Sequence, residues 1–391
     1  MNVKTAKKPR KRIDVSYIRR YNMQSYGDAN LYPQDLMRIT QSSGTTELCI
    51  SRYAKFIEGN GFYSDDFSKL QVNAQGDTTD DVLHNVCKDL ARFGGFAIHV
   101  NYNVLGQIVN IHHVPFENCR LEEPDSMGNV AHILVHPDWT QKRTRGGKKL
   151  TVNEETIQRI CTFNPSPEIV TQEIINAGGI DKYLGQILWV SADGKYVYPT
   201  PIYDPVVTES STDEGLGNIK YRNVRNNFLV SCMLVTKKGV PKTDNEGNEI
   251  DNGSMIADED LRQFQGDENT GKILAVELEN DEDEPKVIAF PTKNYDKDFS
   301  TTDASVIERI YAQFHQELFH AIRIGKLGFS GQVMQDAYEY YAGEVTIEQR
   351  LIQRAFAHIF STWRSVGLQT DFSLQPLRYI NSAQEGGSNN G

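Results

Sequence analysis

Histidine, cysteine and carboxylate side chains could carry chemistry in this chain of 391 residues, and their spacing decides whether they do. His112 and His113 are adjacent, so on a strand they point to opposite faces and cannot share a metal ion. His132 and His136 are four residues apart, the spacing of two ligands on one helical face, but their stretch reads as a strand ending at Pro137. No third ligand stands nearby. The five cysteines, Cys49, Cys87, Cys119, Cys161 and Cys232, include no close pair of the kind zinc sites or redox motifs use, and they read as reduced thiols of a reducing cytoplasm. The acidic run Asp281 to Glu284 could bind a hard cation, yet it falls in a turn between strand patterns, where a solvated tip is the simpler reading. Gly215-Leu216-Gly217-Asn218-Ile219-Lys220 has neither the spacing nor the hydroxyl residue of a phosphate-binding loop. Gly328-Phe329-Ser330-Gly331 lacks the glycine two residues on either side of serine that a nucleophile elbow needs. The expectation is therefore a protein without catalytic residues, resident metal or cofactor.

The elements that must position these residues follow from periodicity. Cys49, Tyr53, Phe56 and Ile57 form one helical stripe that stops at Gly59 and Gly61, and Val82, Leu83, Val86, Cys87 and Leu90 form a second, started by Asp80 and ended by Gly94-Gly95. The period then changes to two: Phe96, Ile98, Val100 and Tyr102 alternate, a turn follows near Asn103 to Gly106, and Ile108-Val109 resume as a hairpin. β patterning continues through Ile133, Val135, Ile160 and Phe163, with a polar loop at 143–149. Residues 208–227 read as a helix whose sizeable apolar members are Leu216, Ile219, Tyr221 and Val224. So polar a helix is stable only if it bridges domains, packs on a partner, or draws on side-chain pairs. A strong strand follows at 228–236, then a polar loop to Gly253 and a second polar helix near 256–265, which together suggest a projecting hairpin with its β piece at the tip. Residues 273–290 return to β patterning. One long stripe of Ile307, Ile310, Tyr311, Phe314, Leu318 and Ile322 then predicts a single rod, capped by Thr302 or Asp303 and closed by Gly325. Helices at 332–343 and from Thr346, with Gln349 completing a capping box, end the pattern.

Charge narrows the partners. Acidic residues number 52 against 41 basic ones, a net charge of -11, which argues against a surface that grips phosphates. The basic run at 4–12 reads as a solvated arm, open to contact with nucleic acid or an acidic partner. No stretch approaches 18 consecutive apolar residues, and no secretory signal follows Met1, so no membrane partner is expected.

The order of segments, with the opening Tyr26-Gly27-Asp28-Ala29-Asn30-Leu31-Tyr32-Pro33, the helix ending in Glu58-Gly59-Asn60-Gly61-Phe62, and the helix, strand and helix around Phe228 to Gly239, resembles the portal proteins of tailed double-stranded DNA bacteriophages and prophages over roughly residues 25–365. The resemblance implies an α+β portal fold: a basic arm at 1–24, a mixed wing at 25–205, stem helices at 206–227 and 254–270, and a small β-containing clip at 228–253. Wing strands and a channel loop would occupy 271–302, a helical wing and crown base 303–368, and a tail 369–391. It implies a homo-oligomeric ring, expected to be a dodecamer, at one capsid vertex of a virion and in the host cytoplasm during assembly. Double-stranded DNA would pass through it, and the large terminase subunit, a head-tail adaptor and the major capsid or scaffolding protein would be its partners. Twelve copies would carry a formal charge of roughly -132, to which a sliding polyanion does not adhere.

By the same resemblance, Lys293, Asn294, Tyr295, Asp296, Lys297, Asp298 and Phe299 occupy the channel loop, where the lysines would touch passing DNA and the aspartates limit adhesion. Lys220, Arg222 and Arg225, facing Asp213 and Glu214, would set stem contacts between subunits, and Lys237, Lys238 and Lys242 would dock clip partners. The generic alternatives are an exposed loop before a helix for the first set and a solubilised strand edge for the last. Two other functions compete: a cytosolic hydrolytic or metal-dependent enzyme whose carboxylates meet only in the fold, and a monomeric DNA-binding protein using its basic arm.

Overall fold

The computed structural model of the chain describes residues 15–145, 148–193, 198–225, 232–237, 242–243, 249–251, 274–278, 286–289, 295–363 and 371–379. The fold is α+β and divides into two compact units: Met1–Gln41, Thr45–Val207 and Ile310–Gly391 form the first, Ser42–Gly44 and Thr208–Arg309 the second.

The first unit opens with β1 (Tyr17–Ile18) and β2 (Met23–Gln24), then α1 (Tyr32–Ser42), α2 (Gly44–Glu58), α3 (Asp65–Ser68) and α4 (Thr79–Phe93). The α2 and α4 stripes bury Cys49, Ile50, Phe56 and Ile57, and Val82, Leu83, Val86 and Cys87. Thr78, rather than Asp80, caps α4: its hydroxyl accepts from the Asp81 amide while the Asp81 carboxylate accepts from the Thr78 amide, a reciprocal box that satisfies two orphan donors. β3 (Gly95–Tyr102), β4 (Ile108–Val114), β5 (Cys119–Leu121), β6 (His132–Val135), β9 (Gln158–Thr162) and β10 (Gln186–Ser191) make a six-stranded sheet in the order β4-β3-β10-β9-β6-β5. Its β9 and β10 run parallel, which requires a crossover. That crossover is α5 (Pro167–Ala177), which starts on a proline and was not expected from the sequence. The loop expected at 143–149 contains instead a short hairpin of β7 (Thr144–Arg145) and β8 (Lys148–Lys149).

In the second unit, α6 (Val207–Arg225) is the polar helix expected at 208–227. β11 (Cys232–Lys237), overlapping the strand expected at 228–236, is the middle of a three-stranded sheet, parallel to β14 (Leu274–Leu278) and antiparallel to β15 (Lys286–Ala289), so it pairs with the β patterning read at 273–290. β12 (Lys242–Thr243) and β13 (Glu249–Asp251) form a two-stranded ribbon. The second polar helix expected near 256–265 lies outside the described residues.

The rod expected to begin at Thr302 is two helices. α7 (Tyr295–Gln313) starts seven residues earlier, and α8 (Glu317–Arg323) follows a break. No glycine or proline marks that break. His315 takes a left-handed conformation (φ 55°), and the buried Gln316 amide is held by tertiary bonds, donating to the Cys49 carbonyl (3.0 Å) and the Tyr341 hydroxyl (2.8 Å) and accepting from Arg52 (3.1 Å). α9 (Gly331–Glu344) and α10 (Thr346–Phe360) complete the chain's helices among the described residues. The capping box expected at Thr346 is absent. Gln349 spends its amide on the Phe56 and Ile57 carbonyls, orphan acceptors at the end of α2 (both 3.2 Å), and Thr346 donates to the Gly343 carbonyl. Phe56, Phe62, Phe67, Phe319, Tyr341, Phe356 and Phe360 interlock between these helices, with several ring pairs edge to face at 4.7 to 4.9 Å.

Candidate functional site

The Tyr26 to Pro33 segment is organised around one buried cation. Arg120, at the centre of β5, is fully enclosed, and its guanidinium bonds go to amide and main-chain oxygens rather than to a carboxylate. Its guanidinium donates to Asn30 Oδ1 (2.7 Å), the Asn30 carbonyl (2.7 Å), the Cys119 carbonyl (2.7 Å), the Glu117 carbonyl (3.0 Å) and Gln34 Oε1 (3.1 Å). Its charge lies over the Trp139 ring at 5.0 Å and the Tyr26 ring at 5.7 Å. Burial pulls its pKa down from the usual arginine value to about 10. Asn30, left-handed at φ 62°, also accepts the Tyr26 amide, so one side chain ties the segment to the sheet and to itself. Tyr26 stacks on Tyr198 at 4.0 Å and donates to the Pro199 carbonyl, and Tyr32 donates to Asp204. This segment, which carries the resemblance, is therefore a structural clasp.

His113 Nε2 lies 2.6 Å from Asp89 Oδ2, and His132 Nδ1 lies 2.5 Å from Glu122 Oε2, which also accepts from Arg159 through its other oxygen. Each pair is spent on holding strands to their neighbours. Among the described residues, no group of three or more His, Cys, Asp or Glu is arranged to hold a metal ion. Cys49, Cys87, Cys119 and Cys161 are free thiols, and burial pushes Cys49 up to about 12 and Cys161 up to about 11, away from thiolate chemistry.

The second unit holds most of the side chains singled out in the sequence. Of the α6 residues from Thr208 to Tyr221, only Ser210 and Leu216 are buried, and Tyr221 is 59% exposed. The helix draws instead on side-chain pairs. Lys220 Nζ lies 2.7 Å from Asp303 on α7, Glu209 pairs with Arg309 at 3.3 Å, and Asp213 accepts from the Ser43 hydroxyl at 2.6 Å. Thus Lys220 and Asp213, expected to meet a neighbouring subunit, have partners within the chain. Arg222 and Arg225 fall in the last turn of α6.

The expected channel loop is helical over its described residues. Lys293 and Asn294 lie outside the described residues, whereas Tyr295, Asp296, Lys297, Asp298 and Phe299 form the first turn and a half of α7. Of the clip lysines, Lys237 ends β11, Lys242 stands opposite Asp251 in the ribbon, and Lys238 lies outside the described residues. The in-chain partners of α6 could not be found by spacing, since Lys220 and Asp303 are 83 residues apart.

No helix among the described residues is long and apolar enough to cross a membrane. No protein-family model matches the chain, and no curated protein matches it by sequence. Solved structures to which it is similar include the virion of a native gene transfer agent particle, at 13% identity and a TM-score of 0.46 over 88% of this chain and 83% of that one. The neck of a native gene transfer agent particle computed with C12 symmetry is similar at 14% identity and a TM-score of 0.45, over the same shares. A portal protein of an HK97-family phage from Corynebacterium diphtheriae is similar at 11% identity and a TM-score of 0.31, over 80% of this chain and 88% of that one.

Proposed function

We propose that the chain is one subunit of a portal ring at a capsid vertex, through which double-stranded DNA is packaged and ejected. The ring would also dock the packaging terminase and the head-tail adaptor. The observation that carries this reading is α6, a helix of 19 residues that buries one sizeable side chain, Leu216, between Thr208 and Tyr221. Its in-chain ion pairs are at the surface, where each contributes at most about 1 kcal/mol. A helix so exposed gains its stability from a neighbour on one side and water on the other, which a stave in a ring provides. The clasp around Arg120 supports the reading from the sequence side, because it is built from the residues that resemble the portal opening.

In this reading Glu214, Arg222 and Arg225 meet the next subunit, and Lys293 and Lys297 touch passing phosphate while Asp296 and Asp298 keep the contact weak. Lys237, Lys238 and Lys242 meet the clip's partners. Light scattering on purified chain, with electron micrographs of the same fractions, tests it: the expected result is a mass near twelve subunits and an annular projection. A mass of 44.2 kDa at every concentration overturns it. Arg222→Glu is expected to impair ring assembly, and normal packaging after deletion of 294–298 would remove the channel role.

A further inference from the structure

Residues 323–330 are exposed throughout, and they place Ile324, Leu327 and Phe329 at the surface, the last with 78% of its area open. The segment is pinned at both ends. Gly325, at φ 74°, stops α8 with its own amide donating to the Ile322 carbonyl (3.1 Å) and the Lys326 amide to the Ala321 carbonyl (2.9 Å), the doubly bonded helix stop that favours glycine. Ser330 caps α9, its hydroxyl accepting from the Val333 amide. Phe329 is therefore presented from a short connection anchored at both ends, which limits the freedom it has to lose on binding.

Along the same helix, the C-terminal half of α9 and the segment 376–379 enclose a cleft of about 570 Å3, walled by Glu339, Ala342, Gly343, Pro376, Leu377 and Arg378 among others. Its volume exceeds the roughly 150 Å3 of a cavity that takes a benzene ring. From Gly331 to Ala342 the helix runs about 17 Å, so Phe329 cannot reach the far wall of its own chain's cleft. The charges are complementary: α9 carries Asp336, Glu339 and Glu344 and no base, whereas 323–330 carries Arg323 and Lys326 and no acid. Arg378 offers the inserted ring a cation for its face.

A knob and a hole on different parts of one molecule make a head-to-tail contact, which closes into a ring when the rotation permits. We infer that Phe329, flanked by Leu327, fills the cleft of the next copy of this chain, with Lys326 against Glu339. The inference rests on the proposed ring and names one of its joints.

Paired cysteines test it without disturbing the core, since a Cβ at Gly328 or Gly343 meets nothing within 4 Å. The expected result with G328C/G343C under mild oxidation is a ladder of covalent multiples, seen with neither single variant nor the parent chain. Light scattering on the same sample separates the two ideas. Rings without a ladder overturn the joint and leave the ring intact, whereas a solitary chain overturns both. Phe329→Ser, at an exposed position, should leave thermal unfolding of the isolated chain unchanged and raise the concentration for half-assembly about tenfold or more, as loss of a central aromatic anchor does. An unchanged assembly concentration overturns the joint.

Discussion

Replacing Arg120 with methionine separates two opposed costs of a buried cation. The substitution removes all the hydrogen bonds the guanidinium donates to Asn30, Gln34, Glu117 and Cys119. Some acceptors keep a second donor: Asn30 Oδ1 retains the Tyr26 amide, and the Glu117 carbonyl retains Gln34 Nε2. The Asn30 and Cys119 carbonyls and the half-buried Gln34 Oε1 lose the guanidinium, and each buried acceptor so deprived costs about 1 to 3 kcal/mol, Gln34 the least. Against this stands a gain of about 1 to 4 kcal/mol, because methionine needs no desolvation. The partners here are main-chain and amide oxygens that remain polar after the substitution, so the losses win by about 2 to 4 kcal/mol. At roughly 2 °C per kcal/mol for a unit of this size, that is a fall of about 4 to 8 °C in Tm. Calorimetry of wild type, Arg120→Met and Arg120→Lys measures it, with lysine also destabilising because a single ammonium cannot reproduce the planar fork. A methionine variant as stable as wild type would refute the reasoning.

Burial raises the phenol pKa of Tyr26, Tyr32, Tyr53, Tyr102, Tyr183, Tyr198, Tyr203 and Tyr341, so the stability they lend is whole below about pH 10 and is lost as pH climbs toward their folded values. Each contributes a slope of about 1.4 kcal/mol per pH unit above that point, while Arg120 titrates in the opposite sense, so Tm should drop steeply beyond pH 10 together with a rise in tyrosinate absorbance. A flat Tm to about pH 11 would contradict this. Gly94→Ala is expected to cost about 2 kcal/mol or more, since φ is 76° and the new Cβ would sit 2.7 Å from the Thr200 carbonyl oxygen, with equilibrium unfolding in urea as the measure. Gln316→Leu keeps the volume but strips Arg52, the Cys49 carbonyl and the Tyr341 hydroxyl of a partner, and should lower the urea midpoint by an amount corresponding to about 2 kcal/mol. An unchanged midpoint would mean that water replaces the amide.

Where one physical signal dominated, the fold was legible. The stripes of α2 and α4 and the poverty of apolar residues in α6 are found as read, whereas the alternation of β3 holds only from Ile98 to Tyr102, since Gly95 to Ile98 are buried one after another inside the sheet. α5 was missed because Asn164-Pro165-Ser166-Pro167 signals a loop, although Pro167 is also well suited to a first helical turn. The break at His315 and the lost box at Thr346 share a cause: Gln316 and Gln349 are recruited by carbonyls more than 250 residues away in sequence, which no local pattern announces. The candidate site was legible as chemistry more than as geometry. Mixed charge on α6 was plain, but that Lys220 reaches Asp303 depends on how two distant segments pair.

The first unit closes on itself through its extremities: Phe62 bridges Leu374, the Tyr63 amide donates to the Ser373 carbonyl and the Asn60 amide to that of Gln375, with about 310 residues between the partners. On a ribosome moving at roughly 5 to 20 residues per second, the aromatic packing begun by α2 and α3 waits some tens of seconds for its last strand. During translation, then, half-built apolar surface is open to whatever chaperone or sister chain is nearby, and a nascent polypeptide halted before Leu374 would stay unsealed however well its earlier helices had formed.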